Sequence, residues 1–223
     1  MTTFTEARNN RKSNPQTEPD IVVIDYGLGN LRSVTKALEA VGGRVELTTA
    51  PERIISAKGA VLPGVGAFSA GMENLRSRDL LPAVQQRIDE GKPLLGICLG
   101  LQLLFTLSEE HGLHGGLDVV KGKVVRFGEG LKIPHMGWNT IKPVRQPPAS
   151  YLFEGIPDNT FFYFVHSYYV MPEDTSVVAA TTEYGIEFTS AIAKNSLFAV
   201  QFHPEKSSDL GQKILENFVK YVG

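Results

Sequence analysis

The chain has 223 residues, 42% of them hydrophobic and 21% charged, enough for one sizeable globular domain or at most two small ones. A net charge of −2 at pH 7 supplies no basic field that argues for nucleic acid or for an acidic membrane surface. One cysteine forms no internal disulfide, and nothing resembles a secretory segment or a membrane-spanning apolar run, so the expected setting is a soluble protein of a reducing, cytoplasmic compartment.

Residues 1–19 are polar, with almost no apolar content to offset their ordering entropy, and are expected to form a disordered tail. Residues 20–223 are expected to form one domain. The first buried strand is Ile21 to Asp25, followed by the turn Tyr26-Gly27-Leu28-Gly29-Asn30 and a helix to about Val41, which Gly42-Gly43 stops. A strand at Arg44 to Thr48, a helical turn opened by Pro51 and a strand Gly59 to Leu62 come next. That strand runs out into Pro63-Gly64-Val65-Gly66. A helix at about Pro82 to Glu90, a strand Pro93 to Ile97 and a helix from Cys98 to Leu107 complete the first half. Apolar strands alternating with helices predict an α/β fold with an open, mostly parallel sheet and helices on both faces.

From Val119 to Phe202 the segments are strand-like and adjacent, which predicts antiparallel additions to that sheet. They are Val119 to Phe127, Phe161 to Val170, Ser176 to Thr182, and the hairpin Phe188 to Ala193 and Leu197 to Phe202 around Lys194-Asn195-Ser196. A last amphipathic helix, Asp209 to Val222, carries Ile214, Leu215, Phe218 and Val219 on one face.

The chemistry centres on Cys98, where an apolar strand ends at a glycine-flanked sulfur just before a helical pattern. A strand-to-helix elbow presents a nucleophile on a sharp turn, and small residues two before and two after it, here Gly96 and Gly100, let neighbouring backbone approach. The start of the following helix favours negative charge on the attacking atom. The alternative is a small buried hydrophobe, the common fate of a lone cysteine.

A cysteine nucleophile needs a base, and His203 is the best placed of the five histidines. It ends a strand and precedes Pro204, which biases it to extended backbone. Glu205 then lies on the same face, roughly 6.6 Å away between Cα atoms, where its carboxylate can bond the imidazole N–H and hold the tautomer. Nucleophile, base and orienter follow triad logic. His135 and His166 read as structural histidines beside strand-like runs. The pair His111 and His114 lacks a third ligand and reads as a loop, so no metal is expected. Gly27-Leu28-Gly29 begins like a dinucleotide fingerprint, but Arg32 stands where its last glycine belongs, and no cofactor is expected. Pro63-Gly64-Val65-Gly66 follows a parallel strand, where open α/β sheets place their sites, and its two glycines free a peptide to aim its N–H at an oxyanion.

Taken in order and spacing, Pro63-Gly64-Val65-Gly66-Ala67-Phe68, Gly96-Ile97-Cys98-Leu99-Gly100-Leu101-Gln102 and His203-Pro204-Glu205 resemble a class I glutamine amidotransferase domain. Asp25 to Leu31, Pro134 to Asn139, Tyr163 to Tyr168 and His203 to Ser207 are similar to one subfamily, the glutaminase subunits of imidazole glycerol phosphate synthase. The match runs from about Ile21 to the C-terminus.

The resemblance implies that Cys98 attacks the side-chain carboxamide of glutamine, that His203 serves as general base and then acid, and that Glu205 orients it. The N–H groups of Leu99 and Val65 would form the oxyanion hole, the latter after its peptide turns. Gly66, Gln102, Ser167 and Tyr168 would bind substrate, and Asn30, Trp138, Tyr163 and Lys206 would face a partner. That partner would be a separate (β/α)8 cyclase subunit in a heterodimer, where ammonia meets its acceptor in a step of histidine biosynthesis. Only about eighteen residues follow the His203-Pro204-Glu205 segment, too few for an acceptor-binding domain. A glutaminase serving pyridoxal phosphate synthesis is the alternative within the class, but such chains usually carry a Gly-Gly-Glu-Ser-Thr type segment where this one has Gly64-Val65-Gly66-Ala67-Phe68. A silent binding module would be expected to lack one of the three triad residues, and a peptidase or γ-glutamyl hydrolase would not couple turnover to a cyclase.

Overall fold

The structure is a computed structural model that describes residues 19–223. Apart from Pro19, the tail expected at residues 1–19 lies outside the described residues.

The first half alternates strands and helices: β1 (Ile21–Ile24), α1 (Leu31–Ala40), β2 (Val45–Thr48), α2 (Pro51–Ser56), β3 (Gly59–Gly64), α3 (Phe68–Ser77), α4 (Leu81–Asp89), β4 (Leu94–Cys98) and α5 (Leu99–Leu103). Short strands β5 (Phe105–Ser108) and β6 (His114–Gly115) follow. Then come β7 (Val120–Arg126), β8 (His135–Pro143), α6 (Ala149–Leu152), β9 (Thr160–His166), β10 (Tyr168–Pro172), β11 (Val178–Glu183), β12 (Glu187–Lys194), β13 (Leu197–Val200) and α7 (Ser208–Val222).

The main path of the sheet runs β2-β1-β3-β4-β13-β12-β10-β7-β5-β6, and β11, β8 and β9 branch from β12. Strands β2, β1, β3, β4 and β13 are mutually parallel, and the hairpin partner β12 begins the antiparallel part. Alternating side chains of one strand serve two cores, as the pleat requires. Ile21 and Val23 pack in a cluster with Val34 and Leu38 of α1 and Ile214, Leu215 and Phe218 of α7. Val22 and Ile24 join Ile54, Phe68, Met72, Leu75 and Val84 from α2, α3 and α4 on the other face. A strand covered on both sides must be apolar throughout, and that is the origin of the run Ile21-Val22-Val23-Ile24.

Two expectations from the sequence need correction. The helix after Cys98 stops at Leu103 instead of running to Leu107. The returning chain takes over the carbonyls that a longer helix would use: Leu117 N–H donates to Leu103 O at 2.8 Å, and Val119 and Val120 N–H donate to Leu104 O at 3.0 Å. Phe105–Ser108 is thereby drawn out as β5, parallel to β7. The run Phe161 to Val170 is two strands, because it breaks at Ser167. β9 pairs with β8, whereas β10 pairs with β7 and β12. Helix α3 and strand β8 form where the sequence reading assigns no element.

Candidate active site

The site forms at the carboxyl ends of β3, β4 and β13, and the strand register assembles it. Gly64 lies opposite Cys98 in the β3–β4 pair, and Val200 lies opposite Ile97 in the β4–β13 pair. One residue further along, Gln201 stands level with Cys98, and its Nε2 donates to the sulfur at 3.6 Å. Two more residues bring in His203.

Cys98, the last residue of β4 and the cap of α5, is a strained elbow with φ +55° and ψ −105°. Its flanking glycines are sterically required. A Cβ on Gly100 would collide with the Leu62 carbonyl oxygen, and one on Gly96 would lie 3.0 Å from both Ala199 Cβ and the Gly100 backbone. Cys98 is buried, 6% exposed, and its thiol is 4.0 Å from the Val165 carbonyl.

His203 is held in extended backbone, φ −102° and ψ 94°, before Pro204. Its N–H donates to Tyr163 O at 2.9 Å. Ser207 completes the clamp: its hydroxyl donates to His203 O at 2.6 Å and accepts from Tyr163 N–H at 2.9 Å. On the imidazole, Nδ1 lies 2.9 Å from Glu205 Oε1, with both side chains almost fully buried. Nε2 makes no hydrogen bond among the described residues, which leaves it free for proton transfer. Burial alone would push this imidazole's pKa down. The nearby Cys98 sulfur and the Glu205 carboxylate overcome burial and raise it to about 9. A protonated His203 beside Cys98 is the state reached once the thiol proton has crossed to the ring.

A cavity of about 270 Å³ opens over the sulfur, lined by Val65, Gly66, Cys98, Leu99, Gln102, Glu110, Pro134, Val165, His166, Ser167 and Tyr168. All seven predicted nucleophile, oxyanion and substrate positions outside the His–Glu pair are therefore brought together. Gln102 is fixed by donating to Tyr168 O and to Gln201 Oε1, both at 3.1 Å.

Two participants escaped the sequence reading. Glu110 lines the cavity and accepts from Phe68 N–H at 2.6 Å, but nothing in its loop marks it. Gln201, wholly buried, was legible as a lone polar residue in an apolar strand two positions before His203. His135 and His166, expected to be satisfied histidines, are hydrogen-bonded to each other, and His166 also lines the cavity. His166 Nδ1 bonds the Tyr168 carbonyl at 2.8 Å and must carry the proton, so its Nε2 accepts from His135 Nδ1 at 2.9 Å. His135 Nε2 in turn accepts from Asn139 Nδ2 at 3.2 Å. Burial holds both rings neutral, with pKa values pushed down to about 4 for His135 and about 3 for His166. Among the described residues no group of three or more His, Cys, Asp or Glu side chains could hold a metal ion.

Outside the cavity, Trp138 on β8 lies opposite Tyr163 on β9, with ring centroids 6.2 Å apart, and Lys206 Nζ stands 5.8 Å over the Tyr163 ring. Met136, Trp138 and Phe161 are all more than half exposed on this ribbon. Asn30 precedes α1, which packs beside the Pro204–Lys206 turn.

The glutamine amidotransferase class-I family model matches residues 22–222. The imidazole glycerol phosphate synthase subunit HisH of Moorella thermoacetica is 54% identical over 202 residues, covering 91% of this chain and 95% of that one. The proteins of the same name from Thermosynechococcus vestitus and Aquifex aeolicus are 53% and 52% identical, covering 92% and 88% of this chain and 98% and 94% of their own. Among solved structures, a glutamine amidotransferase superposes with a TM-score of 0.71 at 20% identity, over 91% of this chain and 98% of that one. The structure of PurLQS from Thermotoga maritima gives 0.70 at 18% identity, over 92% and 99%.

Proposed function

The chain belongs to the class I glutamine amidotransferases, and we propose that within that family it is the glutaminase subunit of an imidazole glycerol phosphate synthase. The observation that carries the reading is a buried cysteine on a strained elbow at the mouth of a cavity, beside an imidazole whose other nitrogen bonds a buried carboxylate. The sulfur attacks the carboxamide carbon of glutamine. Negative charge developing on the carboxamide oxygen is received by the N–H groups of Leu99 and Val65. Protonated His203 gives its proton to the leaving nitrogen, and ammonia departs. Water, deprotonated by the now neutral His203, then cleaves the thioester to glutamate.

The polar groups in the cavity's lining suit the amino-acid end of glutamine. The Glu110 carboxylate offers a counter-charge for an α-ammonium, while Gly66, Gln102, Ser167 and Tyr168 close the remaining sides. The exposed ribbon around Trp138, Tyr163 and Lys206, with Asn30 nearby, is the face for a separate (β/α)8 cyclase subunit in a heterodimer. There ammonia reacts with a phosphoribulosyl acceptor to give imidazole glycerol phosphate and an aminoimidazole carboxamide ribotide. No described helix is long and apolar enough to cross a membrane. A reducing, cytoplasmic setting suits the free thiol of Cys98.

The test is glutamate release from glutamine by the chain alone and with a cyclase subunit, each with and without the phosphoribulosyl ligand. Strong stimulation only with both is expected. High activity indifferent to the cyclase would move the protein to another amidotransferase pathway, and full activity in Cys98→Ser would overturn the mechanism.

A further inference from the structure

Tyr26, Gly64 and Cys98 come together where β1, β3 and β4 end. β1 pairs with β3 as far as Val23 opposite Val61 and ends at Ile24, two residues before Tyr26, while Gly64 faces Cys98 in the β3–β4 pair. Gly64 thus has the nucleophile on its β4 side, and Tyr26 follows the end of the strand on its other side. Tyr26 is fully buried, and its hydroxyl has no hydrogen-bond partner among the described residues. That hydroxyl lies against Gly64: a Cβ on Gly64 would collide with it, and would also come within 2.8 Å of Leu99 Cβ. Burial, together with the charge of Cys98, raises the phenol's pKa, so it is a donor at neutral pH. An unmade hydrogen bond here is costly, and such a group calls for an explanation.

In a trans peptide the C=O and N–H point in opposite directions. When the Gly64–Val65 peptide aims its N–H toward Cys98 on the β4 side, its carbonyl must turn away from Cys98, and the unpaired Tyr26 hydroxyl lies against the same glycine. We propose that the Tyr26 hydroxyl donates to the Gly64 carbonyl in that orientation and so holds the Val65 N–H as an oxyanion donor. Tyr26 is a positioning residue: it touches neither substrate nor sulfur and acts through one peptide. The proposal rests on the reading of Val65 as an oxyanion donor.

The test is Tyr26→Phe in the complete synthase with acceptor present. Losing one hydrogen bond that is made only in the active orientation lowers kcat roughly two- to tenfold, with KM for glutamine little changed. Alkylation of Cys98 by iodoacetamide, which develops no oxyanion, keeps its rate. The thermal midpoint holds or rises, because the folded resting state loses an unpaired buried hydroxyl. Binding of the aldehyde analogue of glutamine, which forms a tetrahedral adduct on Cys98, weakens by the same factor as kcat. In a Val65→Pro background, which lacks that N–H but keeps the Leu99 donor, Tyr26→Phe costs nothing more. Unchanged kcat in Tyr26→Phe, or equal losses of turnover and alkylation, would overturn the proposal. So would two costs that multiply in the double variant. If Val65→Pro folds and keeps full turnover, the Val65 reading itself fails and the role of Tyr26 with it. If Val65→Pro does not fold, the aldehyde and alkylation arms decide.

Discussion

Glu205→Gln keeps the shape of the side chain and removes its charge. In the folded protein Glu205 Oε1 lies 2.9 Å from His203 Nδ1, and the two side chains are only 1% and 2% exposed, so water screens the pair little. The net rise of the imidazole from 6.5 to about 9 corresponds to about 3 kcal/mol of imidazolium stabilisation, at about 1.4 kcal/mol per pKa unit. Cys98 and Glu205 share that sum against the opposing burial. Removing the carboxylate should therefore cost about 1.5–3 kcal/mol in the step that forms imidazolium, a loss of roughly 10- to 100-fold in kcat/KM. The assay is glutamate release by the partnered enzyme between pH 6 and 10. The alkaline limb that reports His203 should move down by about one unit or more. Stability follows the same proton. Folding raises the His203 pKa, so its contribution is complete below pH 6.5 and is lost as pH rises toward about 9. Glu205→Gln should flatten that part of the curve of thermal midpoint against pH. An unshifted limb with wild-type kcat/KM would refute the orienting role.

Arg87 is wholly buried, has no carboxylate partner among the described residues and donates to the carbonyls of Ile54, Ala57, Lys58 and Pro93, tying α2 to α4 and the start of β4. Arg87→Met should lose about 3 kcal/mol or more in urea unfolding, and Arg87→Lys should not recover it, because an ammonium lacks the planar fork. His135 and His166 take up protons less readily folded than unfolded, so stability should decline as pH falls below 6.5, by about 2 kcal/mol per ring at pH 5. Acid titration of His166→Gln, read by thermal midpoint, should show a shallower decline. Trp138→Ala should weaken cyclase binding by about 2 kcal/mol or more, measured by calorimetry, while leaving the thermal midpoint of the isolated chain unchanged, since the ring is half exposed.

The sequence by itself determined the parallel half of the sheet, the elbow at Cys98 and the pairing of His203 with Glu205, because each is a short-range matter. Apolar runs, glycines at fixed offsets and an i, i+2 spacing beside a proline depend on neighbours a few residues away. It also carried the hairpin of β12 and β13 and the helix that packs over β1. What it could not carry depends on register and on returning chain. That Gln201 and Gly64 flank Cys98 follows from β3 and β13 both pairing with β4, which no local pattern encodes. The end of α5 at Leu103 was decided by Leu117, Val119 and Val120 capturing its free carbonyls. The break at Ser167 arose because β9 and β10 found different partners. Glu110 and Tyr26, from a loop and a turn that look ordinary in sequence, became part of the site or its wall only when the strands were laid side by side. Contacts of that kind are long-range, and their energy exists only in the assembled sheet.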